Sequence, residues 1–387
     1  MKKLIRIFIY LFLAVSFCAA QVDNSDDKNI LILNSYNLGL SWTQNMNSAI
    51  VDFFGFQPNV SFQIEFMDSK IATLDNLYEK YYNFLKVKYS KTKFDCIIST
   101  DDDAYQFLLQ YGDDCFGHVP VVFCGVNNYE DAQLVGHDNF TGIVEISDVR
   151  ATIDLALALH PETENIIYIN DKTLSGQHYL NEVMTYIGEY EPRYKVQIIS
   201  DWTMDEMTKY LREETAKSVV ILSVYNLDGA GQSFKHSQTI RYVQKACNFP
   251  IYSAWDFFLG YGVIGGKMTF GHIHATYAAT LADKILHGKP ISELPVIKKN
   301  LNRYVFDYNQ VVRYNVSLYR AGVAYRLYNS PFKVFSVYRT FLFMVIILIL
   351  FMIILLMAVN SLKRRGQTSL KLQPVSPLVE QQSRIFA

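Results

Sequence analysis

The sequence feature that most constrains the fold is an uninterrupted apolar run from Phe341 to Val359, followed by Lys363-Arg364-Arg365. At 1.5 Å per residue, a helix of this length spans about the 30 Å hydrocarbon core of a bilayer. Because the basic cluster follows the run, we expect the carboxyl end in the cytoplasm. The sequence therefore predicts one transmembrane helix over 340–360 and a short cytoplasmic tail over 361–387, which we expect to be disordered.

The amino terminus has the three parts of a secretory signal peptide. Three basic residues lie within the first six, Ile7–Phe17 is apolar, and the small residues Cys18, Ala19 and Ala20 follow. This pattern predicts a signal peptide over 1–20. Retention of the segment as a second anchor, or lipidation of Cys18, are the alternatives. We therefore expect a single-pass protein of a bacterial cytoplasmic membrane, with its main domain periplasmic or extracellular.

The segment between the two apolar stretches is acidic, because the whole chain has a formal charge of −1 and both of its ends are basic. An acidic exterior repels polyphosphate, so we expect no nucleic-acid partner. The segment is too long for one ordinary core, which favours two lobes. Cys96 and Cys124 lie in apolar runs typical of buried thiols, whereas Cys115 and Cys247 are open to pairing in an oxidising compartment.

Strand-like and helical segments alternate through this acidic segment. Asn29–Asn34 is continuously apolar between its end residues, which is typical of a strand buried on both faces. Repeated strand–helix–strand units indicate parallel sheets with helices on both faces. We predict an α/β fold with two lobes. Lobe 1 comprises 28–140 with 255–290, and lobe 2 comprises 142–252 with 300–330.

Several motifs resemble the substrate-binding proteins of ABC importers, which have the type I periplasmic-binding fold. They are Pro120–Asn128 (PVVFCGVNN), Asn139–Val144 (NFTGIV), Gly262–Gly266 (GVIGG) and Ala278–Pro290. The later stretch Gly322–Pro331 (GVAYRLYNSP), with the apolar helix after it, is similar to the juxtamembrane exit of bacterial sensor kinases and diguanylate cyclases that use this domain as input. The resemblance implies two lobes that close on an amino acid or another small metabolite.

Candidate ligand contacts follow the predicted strands, because parallel strands direct their carboxyl ends to one edge of a sheet. In the first block, short polar, aromatic and acidic side chains and one glycine occupy these positions. They are Ser35, Tyr36, Trp42, Asp101, Asp102, Gly125 and Asn127. In the second block the candidates are Thr173, Tyr225, Trp255 and Asp256. For most of these residues a turn, a helix cap or hinge packing is the competing interpretation.

Catalytic motifs are weak in this sequence. Gly260–Gly265 matches the dinucleotide-binding spacing, but it does not lie between a long strand and a helix. His272 and His274 are two residues apart, which on a helix points them away from each other. No nucleophile elbow, zinc-protease motif or phosphate-binding loop occurs in the sequence. We therefore predict no enzyme activity, no cofactor and no metal.

Three functions remain in competition. The first is a sensor input domain that signals through the transmembrane helix in a homodimer, with a kinase or cyclase output domain that is either a separate partner or missing from this sequence. The alternative is a membrane-tethered binding protein that delivers its solute to an importer permease. An extracytoplasmic enzyme on a two-lobed fold is the third, and the lack of a catalytic motif argues against it.

Overall fold

The computed structural model describes residues 27–70 and 76–371, which form two units that meet after Tyr328. The predicted signal peptide over 1–20 and the last part of the predicted tail lie outside the described residues. The first unit contains two β-sheets flanked by helices, as the sequence predicts. The second unit is a single long helix.

The first sheet has five strands, and every neighbouring pair in it is parallel. Its order is β2-β1-β3-β4-β5. The strands are β1 (Lys28–Asn34), β2 (Val60–Phe66), β3 (Cys96–Thr100), β4 (Val121–Val126) and β5 (Phe140–Val144). Ile30, Leu31, Ile32 and Leu33 of β1 are fully buried. The prediction that this apolar run is a strand covered on both faces is therefore confirmed.

The second sheet has seven strands in the order β12-β11-β10-β9-β8-β6-β7. They are β6 (Asn165–Ile169), β7 (Lys195–Ile199), β8 (Ser218–Leu222), β9 (Ile251–Tyr252), β10 (Gly265–Met268), β11 (Arg303–Asp307) and β12 (Tyr325–Tyr328). Only the β10–β11 pair is antiparallel among these strands of the described chain. Strand β12 has mostly exposed side chains, and the sequence pattern did not predict it.

Helices connect the parallel strands. They are α1 (Ser41–Phe54), α2 (Leu77–Lys88), α3 (Asp101–Phe116), α4 (Val149–Leu159), α5 (Leu174–Met184), α6 (Met204–Glu213), α7 (His236–Ala246), α8 (Gly271–Leu286) and α9 (Tyr308–Arg313). In the first sheet, α1 and α8 pack on each other, and α2 packs on α3. Residues 71–75, which precede α2, lie outside the described residues.

Two predicted lobe boundaries need correction. We expected residue 142 to open the second lobe, but Phe140–Val144 pairs with β4 as the edge strand of the first sheet. We also expected 255–290 to belong to the first lobe. Gly265–Met268 instead pairs in the second sheet, and the chain returns to the first sheet only at α8. Both short runs have too few residues for an apolar pattern to assign them to one sheet.

The second unit consists of α10 (Pro331–Lys371). Within it, Tyr338–Arg364 is long and apolar enough to cross a membrane, judged by length and composition alone. The side chains along the core of this segment are exposed, unlike those of a buried helix in a water-soluble fold. The predicted span over 340–360 lies inside this segment, which is a candidate membrane helix.

Candidate functional site

The carboxyl ends of strands from both sheets meet around a small buried cavity, which we call the inner cavity. Its volume is about 30 Å³, which is room for one or two water molecules. Residues that follow β1, β3, β4 and β5 line it together with residues that follow β6, β8 and β9. The lining residues are Tyr36, Leu40, Trp42, Lys70, Asp101, Asn127, Glu145, Ser175, Tyr179, Val224, His236, Trp255 and Phe257.

A larger outer cavity of about 240 Å³ shares Leu40 and Lys70 with the inner cavity. Its other walls are the loop after β1 and the segment that leads into α7. They contribute Asn37, Gly39, Asn226, Ser233, Phe234, Lys235 and Gln238. The two cavities together offer a polar, aromatic inner end and a wider outer end.

Asp101 is held at the inner cavity in a strained backbone conformation. Its φ is +66°, a left-handed value that costs a non-glycine residue about 1 kcal/mol. The side chain is 2% exposed, and its Oδ1 accepts a 2.8 Å hydrogen bond from the indole nitrogen of Trp42. Oδ2 is buried and has no hydrogen-bond partner among the described residues. Burial raises the pKa of this carboxyl to about 8, although Trp42 and Lys70 act to lower it.

Gly125 creates the room for this carboxylate. A Cβ at residue 125 would lie 2.9 Å from Asp101 Oδ1, and the φ of +70° also favours glycine there. Gly125, proposed from the sequence as a ligand contact, therefore lets the backbone come close to a side chain of the cavity wall.

Glu145 forms a second carboxylate–indole pair. Its Oε1 accepts hydrogen bonds from the indole nitrogen of Trp255 at 3.2 Å and from the hydroxyl of Tyr179 at 2.9 Å. Burial raises the pKa of Glu145 to about 8, and the nearby charge of Asp101 acts in the same direction. The cavity therefore has one buried carboxylate from the first sheet and one from the segment that leaves it.

The hydroxyl of Tyr179 joins the two sheets. It lies 2.8 Å from Oδ1 of Asn127 and 2.9 Å from Oε1 of Glu145. A phenol has one proton, so it donates to only one of these two oxygens at a time.

Lys70 and His236 lie between the two sheets. The ammonium of Lys70 is 4.2 Å from the centre of the Tyr36 ring and 3.4 Å from Asn226 Oδ1. Burial lowers the pKa of Lys70, and the carboxylates of Asp171 and Asp101 act to raise it. His236 stacks on Phe257 with ring centres 3.8 Å apart, and burial holds its pKa well below the usual value, so it is neutral at pH 7.

Five of the residues proposed from the sequence line the inner cavity: Tyr36, Trp42, Asp101, Asn127 and Trp255. The other six proposed residues do not line it. Ser35 accepts a hydrogen bond from the amide of Ala104 and donates one to the carbonyl of Thr100. Asp102 accepts from the amides of Asn127 and Asn128 and so holds the loop after β4.

The remaining proposed residues of the second block also have local roles. Thr173 caps α5 by accepting from the amide of Gly176, which is the competing interpretation named above. Tyr225 donates its hydroxyl proton to the carbonyl of Trp202. Asp256 lies beside His272, with 3.9 Å between Oδ2 and Nδ1 and 8% of its side chain exposed. These contacts stabilise the loops behind the cavity and leave its lining to other residues.

Among the polar residues of the lining, sequence reasoning missed Lys70, Glu145, Tyr179 and His236. Glu145 follows β5 directly, so a correct boundary for that strand would have revealed it. Tyr179 and His236 lie on helices, where a single aromatic residue has no pattern to distinguish it. Lys70 comes four residues after the end of β2, so it is missed by the strand-end rule, by which ligand contacts come directly after parallel strands.

Comparisons with known proteins identify the fold. No family model matches the chain, and no curated protein sequence matches it significantly. A conserved domain protein from Vibrio cholerae (TM-score 0.58, 13% identity) and the ABC domain from Streptococcus pneumoniae in complex with L-Trp (0.59, 14%) each align with 78% of this chain and 100% of their own.

A periplasmic solute-binding protein of an ABC transporter from Actinobacillus succinogenes, with bound D-allose, aligns with 74% of this chain and 100% of its own, at a TM-score of 0.51 and 13% identity. At such low identities the likeness concerns the fold alone. The two-sheet unit has the type I fold of periplasmic solute-binding proteins.

The raised pKa of Asp101 predicts a pH-dependent cost to stability. The native carboxyl holds its proton up to about pH 8, whereas the unfolded one releases it near pH 4. Folding therefore takes up a proton between these values, and the Asp101 contribution to stability falls as pH rises through them. We expect Asp101→Asn to be increasingly more stable than the wild type from pH 5 to pH 8.

Thermal melting of the full chain in detergent, followed by tryptophan fluorescence, measures this difference, because Trp42, Trp202 and Trp255 all lie in the two-sheet unit. Asp131→Asn is the matched control, since Asp131 is exposed and paired with Lys298. If the difference in melting temperature between wild type and Asp101→Asn stays constant with pH, as expected for the control, this would contradict the raised pKa of Asp101.

Proposed function

We propose that this protein is a membrane-anchored, extracytoplasmic receptor that closes on a small solute and signals through its carboxyl-terminal helix. The observation that supports solute binding is direct contact between the two sheets around a cavity with buried polar groups. Tyr179, on the helix that follows β6 of the second sheet, donates a hydrogen bond to Asn127, which follows β4 of the first sheet. Lys70, which follows β2 of the first sheet, donates one to Asn226, which follows β8 of the second sheet. A cleft that closes in this way excludes water and gains contacts from both sides.

Membrane anchoring rests on the apolar segment Tyr338–Arg364 and on the basic cluster at its end. The cluster favours a cytoplasmic carboxyl end, which places the binding unit outside. A signal peptide at the amino terminus would export the unit in the same orientation. The solute is therefore sampled outside the cytoplasm.

The short connection to the helix favours signalling over simple tethering. Only Asn329 and Ser330 separate the end of β12 from the start of α10. A strand of the second sheet is thus joined to the helix with almost no slack, and movement of that sheet on closure is transmitted along the chain. Signalling then needs a second helix as reference, so we propose a homodimer with a kinase or cyclase as output.

A membrane-tethered binding protein for an importer permease is the second candidate. It is favoured by the fold neighbours, one of which is named as an ABC transporter periplasmic solute-binding protein. A tether works best when a flexible linker lets the binding unit reach its permease. The two-residue connection is shorter than such a linker, and this is why we rank signalling first.

Solute binding predicts ligand-dependent stabilisation. In a screen of the full chain in detergent against small polar and aromatic metabolites, we expect at least one to raise the melting temperature. A metabolite at about 100 times its dissociation constant adds about 2.7 kcal/mol to the free energy of unfolding. A screen in which the protein melts cooperatively and no metabolite shifts the transition would refute solute binding.

Signalling predicts that the stabilising metabolite changes contacts between the membrane helices of two copies. Single substitutions Leu342→Cys, Phe343→Cys, Met344→Cys and Val345→Cys sample one turn of α10, and oxidative crosslinking in membranes reports which face lies at a dimer contact. We expect the crosslinked positions to change when the metabolite is added. Unchanged crosslinking at saturation would favour the tether, and no crosslinking at any position would argue against the dimer.

A further inference from the structure

We propose that the solute carries a primary ammonium group that occupies the inner cavity against Asp101, with a compact apolar body in the outer cavity. This inference rests on the proposed solute binding and adds the chemical class of the ligand. Lys70 reaches into part of this cation site, and the ligand's ammonium competes with it.

The unsatisfied oxygen of Asp101 is the first support. Oδ2 is buried on a side chain that lines the inner cavity, and no described residue donates a hydrogen bond to it. A buried acceptor without a donor is costly, and it is rare in folded proteins unless a site has use for it. The protein also accepts a left-handed φ to hold this carboxylate in place. An ammonium donates the missing hydrogen bond and supplies the counter-charge, so its binding favours the ionised form of Asp101 over the protonated form that burial favours.

The rest of the lining suits a cation and offers little to an anion. Two carboxylates, Asp101 and Glu145, face one flexible cation, Lys70, while His236 is buried and neutral. Aromatic rings form much of the remaining wall, and their faces attract cations when water is excluded. These rings are Tyr36, Trp42, Tyr179, Trp255 and Phe257.

Lys70 shows how an ammonium is received here. Its Nζ lies 4.2 Å from the centre of the Tyr36 ring, and its nearest charges include the carboxylates of Asp171 and Asp101. The side chain belongs to both cavities, so it stands where a ligand would pass from one to the other. A ligand ammonium that reaches Asp101 therefore meets one of the carboxylates that attract Lys70.

The sizes of the two cavities set the shape of the ligand. The inner cavity, about 30 Å³, accepts a group the size of an ammonium with its attached methylene. The outer cavity, about 240 Å³, has Leu40, Phe234 and the side chains of Lys235 and Gln238 along its walls, which suits a small ring. We therefore choose 2-phenylethylamine as the probe, with 2-phenylethanol as its uncharged counterpart of nearly equal size.

The experiment measures binding of both probes to the full chain in detergent, by isothermal titration and by thermal shift. We expect 2-phenylethylamine to bind and 2-phenylethanol to have no effect at the same concentration. Asp101→Asn keeps the acceptor for Trp42 and tolerates a left-handed φ, so it should fold normally and bind the amine at least about tenfold more weakly. Lys70→Met should bind the amine more tightly, because it removes the competing ammonium.

Asp131→Asn removes an exposed carboxylate that does not line the inner cavity and should bind the amine like the wild type. Equal effects of the alcohol and the amine, no binding of the amine, or full binding by Asp101→Asn would each overturn the inference. Weaker amine binding by Lys70→Met would refute the competition. A metabolite without a cationic nitrogen that stabilises wild type and Asp101→Asn alike would sink the inference and leave the proposed solute binding intact.

Discussion

The parallel pairing of strands in both sheets is the constraint on which the rest of the structure depends. Parallel neighbours require a helical crossover between them, and the crossovers bring the ends of all these strands to the same edge of each sheet. The residues after β1, β3 and β4 thereby face those after β6, β8 and β9. The cavity is a consequence of topology, and the loop residues decide what it can hold.

Two buried carboxylates give the cavity its chemical character. Each is held by an indole N–H, Asp101 by Trp42 and Glu145 by Trp255, and neither has a described salt-bridge partner. One hydrogen bond to Asp101 and two to Glu145 do not compensate for the removal of a charge from water, so burial raises the pKa of both groups to about 8. A ligand that donates hydrogen bonds to these carboxyl groups gains binding free energy because the protein itself donates few. This links the strained backbone of Asp101 to binding.

The fold was predictable from the sequence because its signals are long and periodic. The apolar run of β1 and the repeated strand–helix units required two parallel sheets, and the apolar run at the carboxyl end indicated a candidate membrane helix. The short elements were harder. β12 is mostly exposed, while β9 and β10 have two and four residues, so tertiary pairing decides their place.

The candidate site was predictable only where the strand-end rule applies. That rule selected Tyr36, Asp101, Asn127 and Trp255, and it selected Thr173 equally, although that residue only caps a helix. Glu145 was not proposed because residue 142 was expected to open the second lobe, so the end of β5 at Val144 was not recognised. Tyr179 lies in the second turn of α5, and only the packing of that helix brings it to the cavity, so no local pattern distinguishes it.

The most direct test of the account is whether the two sheets close around the ligand. In a Trp202→Phe background, the only tryptophans are Trp42 and Trp255, which both line the inner cavity. Acrylamide quenching of their fluorescence reports how often the cleft opens to solvent. The account predicts that a stabilising metabolite lowers the quenching constant as it saturates the protein. Quenching that is unchanged at saturation would show that the ligand binds without closure and would contradict the central claim.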